Sequence, residues 1–436
     1  MTSINLLHSN DRKGVFPASW YAAITGAPAS RPAFSGSAEF DVCIIGGGLT
    51  GLSAALHLSR AGYDVAVLEA HRVGWGASGR NGGQVGTGQR LDQDYLEKHY
   101  GRDNAHRYWE VAEEAKALVR KLAGSSRFEC NVEAGILHAD HKPRYVAESR
   151  DYAEKLNAEY GYDKVRFVDR QELRQLVRSE SYFGGTLDMG AFHLNPLALT
   201  FGIAEQAEDA GAVLFENSEV LSVTEGNQIK VKTRQGEIRA GHLLYACNGY
   251  LGMLQKGIAE RVLPINNFVI VTEPLTPAQR DAILPSPAAV ADSKFVINYF
   301  RMTHDNRLLF GGGENYGYRF PADIKAFVRK PMLEIFPQAE PLKIDFGWGG
   351  TLAVTVKRLP LFQRVRGNIL ACTGYSGHGV ALATLAGKIA AEAVDGQASR
   401  FDLMADLDTP RFPGGTLLRY PMLVAAMTWF SLRDRL

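Results

Sequence analysis

Short apolar runs closed by glycine alternate along this chain with longer stretches whose apolar residues recur at helical spacing. The sharpest run is FDVCIIGGG, which begins at Phe40 and ends in three glycines. That is the pattern of a buried parallel strand turning tightly at its end. From Leu52 to Ala61 the spacing predicts a helix with Leu52, Ala55, Leu56 and Ser59 on one face. Gly62 follows where a left-handed residue ends a helix. YDVAVLE then reads as a second buried strand, which completes a strand–helix–strand unit.

The rest of the chain reads in the same terms. Residues 1–38 are rich in Pro, Ser, Ala and Gly and predict an irregular arm. The segment 100–160 predicts mostly helix, and NPLALTFGIAEQAEDAG another. GAVLFENSEVLSV, IKVKTRQGEIRA and HLLYACNGY predict strands of one sheet. FVIVTEPL, KFVINYF and NRLLFGGG predict strands of a second. NILACTGYSG returns to the first pattern, and GVALATLAGKIAAEAV makes a helix after it. There is no internal repeat and no long low-complexity tract.

Composition adds limits. The chain has 436 residues, 46% apolar and 22% charged, as expected for a globular protein of two or three domains. A core of that size needs neither disulfides nor a structural metal. With 48 basic and 47 acidic residues and no block of like charge, nothing points to a nucleic-acid surface. Cys43, Cys130, Cys247 and Cys372 are scattered, which implies free thiols in a reducing, cytoplasmic setting. The first residues, MTSINLLHSNDRKGVF, lack the basic and apolar regions of a secretory signal. Pro421–Leu432 (PMLVAAMTWFSL) is apolar but far short of the roughly twenty residues a membrane span needs. It reads as a helix packed on the body, with a peripheral membrane or partner contact as the alternative.

The chemistry begins at the first turn. Gly46, Gly48 and Gly51 make G-x-G-x-x-G between a strand and a helix. The spacing gives a tight turn, close approach of a pyrophosphate, and close packing of helix on strand. The helix N-terminus, with Leu49 and Thr50, offers unpaired N–H groups to phosphate. Glu69, followed by Ala70, ends the second strand, where a carboxylate can accept from ribose hydroxyls and repel a 2′-phosphate. These features fit NAD and FAD alike.

The next segment separates them. Ser78, Gly79, Arg80, Asn81, Gly82, Gly83 and Gln84 form a polar glycine-rich loop able to wrap a pyrophosphate or a flavin edge. IIGGGLTGLSAALHLSRAGYDVAVLEA followed by GASGRNGG resembles the D-amino-acid oxidase superfamily of flavoproteins, in its amine-oxidising branch. GYSGHG, from Gly374 through Ser376, Gly377 and His378 to Gly379, resembles that family's flavin-contacting turn. It opens the helix that continues with Val380, whose positive dipole end would favour an anionic reduced flavin. The resemblance assigns Val220 to a backbone contact with adenine, and Cys247 and Asn248 lie at a strand end facing the same dinucleotide.

The resemblance implies an α/β (α+β) fold, a Rossmann-type FAD-binding domain with a mixed-sheet substrate domain. The expected division is an arm over 1–38, FAD-binding segments 39–100, 195–250 and 365–400, substrate-binding segments 101–194 and 251–364, and a C-terminal helical segment over 401–436. Family members that attach FAD covalently use a cysteine or histidine; WGGTLAVTVKRLPLF has no cysteine and GASGRNGG no histidine, so FAD is expected to be non-covalent. Leu309 stands where relatives of the sarcosine-oxidase type carry a lysine thought to help oxygen react.

Amine oxidation by a flavin asks the protein to hold a neutral amine with its α-C–H near N5, away from water. Tyr299, Phe300, Trp348 and Tyr375 are candidate aromatic walls, and His378 a flavin or substrate contact. Glu273 and Glu314 are candidates to meet an ammonium, and Arg301 a substrate carboxylate. His138 and His141 lack further ligands and read as a solvated loop rather than a metal site. The expected activity is FAD-dependent oxidation of a primary amine from polyamine breakdown, with O2 reoxidising the flavin and aldehyde and H2O2 as products. A dehydrogenase feeding a quinone or carrier is the second reading, and a non-catalytic FAD-binding subunit the third.

Overall fold

The computed structural model describes residues 5–315, 317–416, 421 and 424, with two sheets. In the first, the path runs Leu361–Arg366, Ile369–Thr373, Gly236–Tyr245, Gly36–Ile45, Val65–Leu68, Val213–Phe215. All neighbours on that path are parallel except the first pair. The apolar run at Phe40 lies at its centre, paired on both sides. Its alternate residues therefore feed two cores. Val42 and Ile44 pack beneath the helices Leu49–Arg60 and Gly379–Val394. Cys43 and Ile45 pack beneath the antiparallel strands Val220–Thr224 and Ile229–Thr233. This is why the strand reads as continuously apolar.

The second sheet runs Ile344–Val354, Leu263–Thr272, Leu308–Asn315, Tyr299–Met302, Ala289–Asp292, Glu133–Ala139, Gly184–His193, Gln84–Val85. Strand Val165–Asp169 pairs with Gly184–His193 as well. Its pairs are antiparallel apart from Ala289–Asp292 on Glu133–Ala139. Strand alternation sends Phe268, Ile270, Leu308, Phe300 and Phe310 outward beneath the helix Ile324–Ile335. The opposite face, carrying Val269, Leu309 and Trp348, packs toward the first sheet's core.

Several elements differ from the sequence expectation. Gly236–Tyr245 is one continuous strand, because IRAG and HLLY share a single partner strand in unbroken register apart from Asp41. A strand, Glu133–Ala139, interrupts the segment expected to be mostly helical. Gln84–Val85 joins the second sheet although it follows the glycine loop. The arm is less irregular than its composition implied, with short helices at Leu6–Ser9 and Trp20–Thr25. Trp20 and Tyr21 anchor it, both fully buried. Large aromatics supply burial that local propensity does not. Pro421–Leu432 lies outside the described residues except for Pro421 and Val424. Among the described residues no helix is long and apolar enough to cross a membrane.

The arm is also pinned by His71. Nδ1 accepts from Gly14 N at 3.0 Å and Nε2 donates to Leu7 O at 2.7 Å, which requires the neutral imidazole. Burial pushes its pKa down to about 4, with His8, Arg80 and Lys13 acting in the same direction. A folded pKa below the unfolded value of about 6.5 gives stability that is present above that value and lost as pH falls toward the folded pKa. Amide exchange over residues 7–25, corrected for intrinsic rates, is expected to be slow at pH 7.5 and fast near pH 4. Exchange that stays slow at pH 4, or fast arm exchange at both pH values in wild type, contradicts this.

Candidate cofactor and substrate site

A single cavity of about 2100 Å³ runs from the Gly46 turn to the second sheet. That is larger than the roughly 300–1,000 Å³ of ordinary ligand pockets. At one end, Gly46 has φ +115°, and a Cβ there would lie 2.6 Å from Ala246 O. The turn leads into Leu49–Arg60, whose first-turn N–H groups have no intrahelical partners. Ser78 Oγ takes one of them, from Leu49 at 3.0 Å. Glu69 is held by Gly47 N and His71 N, each at 2.8 Å. Burial raises its pKa, while those N–H groups act to lower it.

Gly46, Gly48, Leu49, Thr50, Glu69, Ala70, Ser78, Arg80, Asn81, Gly82 and Gln84 all line this cavity. So do Val220, Cys247, Asn248, Ser376, Gly377, His378, Gly379 and Val380. Gly51, Gly79, Gly83 and Gly374 lie behind the wall instead. Gly51 is a packing position: a Cβ there would overlap Gly46 O. Cys247 is a protonated thiol donating to Ile45 O at 3.3 Å, its pKa pushed up to about 12 by burial.

The two halves of the cavity are tied together. Tyr375 OH and Thr50 Oγ1 share a hydrogen bond of 2.7 Å between the two helix N-termini. Tyr299 leans over Gly82 from the second sheet, its hydroxyl donating to Asn267 Oδ1 at 2.6 Å. Arg80 is buried, with Nη1 at 2.6 Å from Asp11 Oδ2 and Nε donating to Trp75 O at 2.5 Å. His378 is neutral: burial pushes its pKa down to about 4, and Nε2 has no hydrogen-bond partner among the described residues.

Four expectations for the substrate side do not match. Trp348 is off the cavity and 2% exposed; it belongs to the core, where Nε1 donates to Arg80 O. Phe300 faces the outer core, on the opposite face of its strand from Tyr299. Arg301 is buried and spends its guanidinium on Gly82 O, Leu194 O and Tyr21 OH, clamping the glycine loop. Glu273 lies off the cavity, accepting from Lys343 N. The side chain of Glu314 lies outside the described set. Leu309 is fully buried in the core, away from the cavity.

Sequence reasoning missed Arg90, His138, Asp140 and Asn267, which line the cavity. Alternation of Ile136, His138 and Asp140 along ILHAD was the available signal for two of them. His138 opens into the cavity rather than onto a solvated loop, and burial lowers its pKa. No group of three His, Cys, Asp or Glu among the described residues is placed to hold a metal.

A family model described as FAD dependent oxidoreductase matches residues 41–393. The chain belongs to this family. It is 41% identical to a probable oxidoreductase OrdL of Rhizobium meliloti, over 96% of this chain and 97% of the relative. It is 38% identical to gamma-glutamylputrescine oxidoreductase of Escherichia coli, over 96% of this chain and 98% of the relative. In fold it matches glycine oxidase from Geobacillus kaustophilus with a TM-score of 0.73 at 20% identity, covering 86% of this chain and all of that one. The chain is therefore an FAD-dependent oxidoreductase, and the reading as a non-catalytic subunit is set aside. The residues present fit FAD: a side-chain-free turn, a helix N-terminus whose first-turn N–H groups lack intrahelical partners, and a long cavity reaching a second sheet.

Proposed function

We propose that this FAD-dependent oxidoreductase oxidises a primary amine on a polyamine derivative, with gamma-glutamylputrescine as the best-matched substrate. What supports the reading is 38% identity to an enzyme named for that substrate, extending over both sheets that wall the cavity. FAD, when bound, would accept hydride at N5 and pass the electrons to O2, leaving H2O2. The Gly46 turn and the first turn of Leu49–Arg60 would hold its pyrophosphate, and Glu69 would meet its ribose. The Gly379 helix N-terminus directs a positive dipole end into the cavity. In this reading 39–100, 195–250 and 365–400 bind the cofactor, with Gln84–Val85 contributed to the second sheet.

Tyr299 and Tyr375 remove water from the amine and favour its neutral form, whose lone pair assists loss of the α-C–H as hydride. His378 carries no charge at neutral pH, so it does not repel an arriving ammonium, and Nε2 is open to a hydrogen bond. Released imine hydrolyses to aldehyde and ammonia in water. We place the reaction in the cytoplasm, in keeping with four free cysteines.

A second reading, transfer to a quinone or carrier, is favoured by Leu309, an apolar core residue where the resemblance to sarcosine-oxidase-type relatives implies an oxygen-activating lysine. Anaerobic mixing with an amine panel, followed by air and then by a quinone, separates the two. Bleaching reversed by air with peroxide release supports oxidase action. Bleaching reversed only by quinone supports the second reading, and no bleaching by any amine overturns both.

A further inference from the structure

The cations lining the cavity are not equivalent. Arg80 is matched by Asp11, and Lys294 lies near the Asp292 carboxylate. Arg90 has no such match. Its Nε donates to Ser376 O at 3.2 Å, and neither Nη group has a hydrogen-bond or carboxylate partner among the described residues. The nearest acid in sequence, Asp92, is turned away to cap the helix Gln93–Tyr100, accepting from Tyr95 N at 2.8 Å.

Arg90 is half-buried in the cavity wall, beside the turn that precedes Gly379. Burial, with Arg358 adding to it, pushes its pKa down to about 10. It also acts electrostatically on His138 and His378, one on the second sheet and one in the turn before Gly379. The space beside the guanidinium is thus bordered by two imidazoles whose pKa values are lowered by their surroundings. A half-buried guanidinium with no carboxylate beside it favours the approach of an anion. Its planar fork suits a carboxylate, which can take both Nη groups at once.

We propose that Arg90 is the receptor for a substrate carboxylate, so that the preferred substrates are amines carrying a carboxylate at the end remote from the oxidised carbon. The inference rests on the amine-oxidation reading and adds the substrate class to it. It also moves the carboxylate contact from Arg301, whose donors are taken up by the protein, to a residue whose Nη donors are open among the described residues.

The test compares three amines on wild type and Arg90→Met: gamma-glutamylputrescine, glutarylputrescine, and N-butanoylputrescine, which has no carboxylate. Loss of a charged hydrogen-bonded contact is expected to lower kcat/KM about 100-fold more for the first two than for the third, mainly through KM. Arg90→Lys is expected to recover part of the difference. A second measurement uses N-butylglutaramate, which has the carboxylate and no oxidisable amine. It is expected to perturb the flavin absorbance of wild type on binding, and not that of Arg90→Met. Equal losses for all three amines, undiminished N-butylglutaramate binding by Arg90→Met, or loss of FAD from that variant would each overturn the proposal. If wild type oxidises none of the amines, the amine reading fails, and N-butylglutaramate binding still decides the role of Arg90.

Discussion

Gly51→Ala is expected to give a protein that purifies without the yellow colour of bound flavin. A Cβ at Gly51 would overlap the carbonyl oxygen of Gly46 and lie 3.1 Å from Ile44 Cγ2. Neither neighbour can yield easily. Gly46 is held at φ +115° against Ala246, and Ile44 is fully buried between two paired strands. The helix must therefore move off the strand, which opens the turn that faces the cavity. Overpacking of this kind costs about 1–3 kcal/mol, and more where only backbone can give way. The first-turn N–H groups move with the helix, so cofactor affinity falls along with stability. The ratio of flavin to protein absorbance after purification, and titration with added FAD, measure it. A variant that retains one FAD per chain would show that this packing does not shape the cofactor turn.

The largest effect expected away from the turn comes from Asp11→Ala. Asp11 sits on the arm, and its carboxylate is the only acidic partner found for buried Arg80 among the described residues. The guanidinium side chain is 1% exposed and lies 4.4 Å above the Trp75 ring, between Trp75 O and Gly349 O. Removing the acid leaves a buried charge matched only by carbonyls, at a cost of about 3–5 kcal/mol. Replacing both partners, Asp11→Ala with Arg80→Met, removes the charge itself and is expected to regain much of that stability. Urea midpoints for the two variants and wild type measure it. If the double variant is no more stable than Asp11→Ala, the cost lies in lost arm packing rather than in the unmatched charge.

How much of this was legible in the sequence depends on the range of the interaction. The Gly46 turn, the buried strand before it and the helix Gly379–Val394 are set by local pattern, and they stand as read. Tyr299 could be distinguished from Phe300 only once strand register was known, because adjacent residues face opposite sides. Trp348 has the composition of a pocket wall, yet its strand face packs on Tyr21 of the arm, a contact remote in sequence. Arg301 and Arg90 are chemically identical in the sequence. What separates them is that Gly82, Leu194 and Tyr21 consume the donors of one, while the Nη groups of the other stay open. The arm was legible only in part for a related reason: its Pro, Ser and Gly content describes the largely irregular backbone, whereas Trp20 and Tyr21 decide where it docks.

The central claim is that an amine reduces FAD held between these two sheets. Stopped-flow mixing of the purified flavoprotein with gamma-glutamylputrescine in the absence of oxygen tests it most directly. Rapid bleaching of the visible flavin band is expected, saturating with amine concentration and faster as pH rises and the amine loses its proton. A flavoprotein whose spectrum is unchanged by gamma-glutamylputrescine, putrescine, sarcosine and D-alanine alike would contradict it.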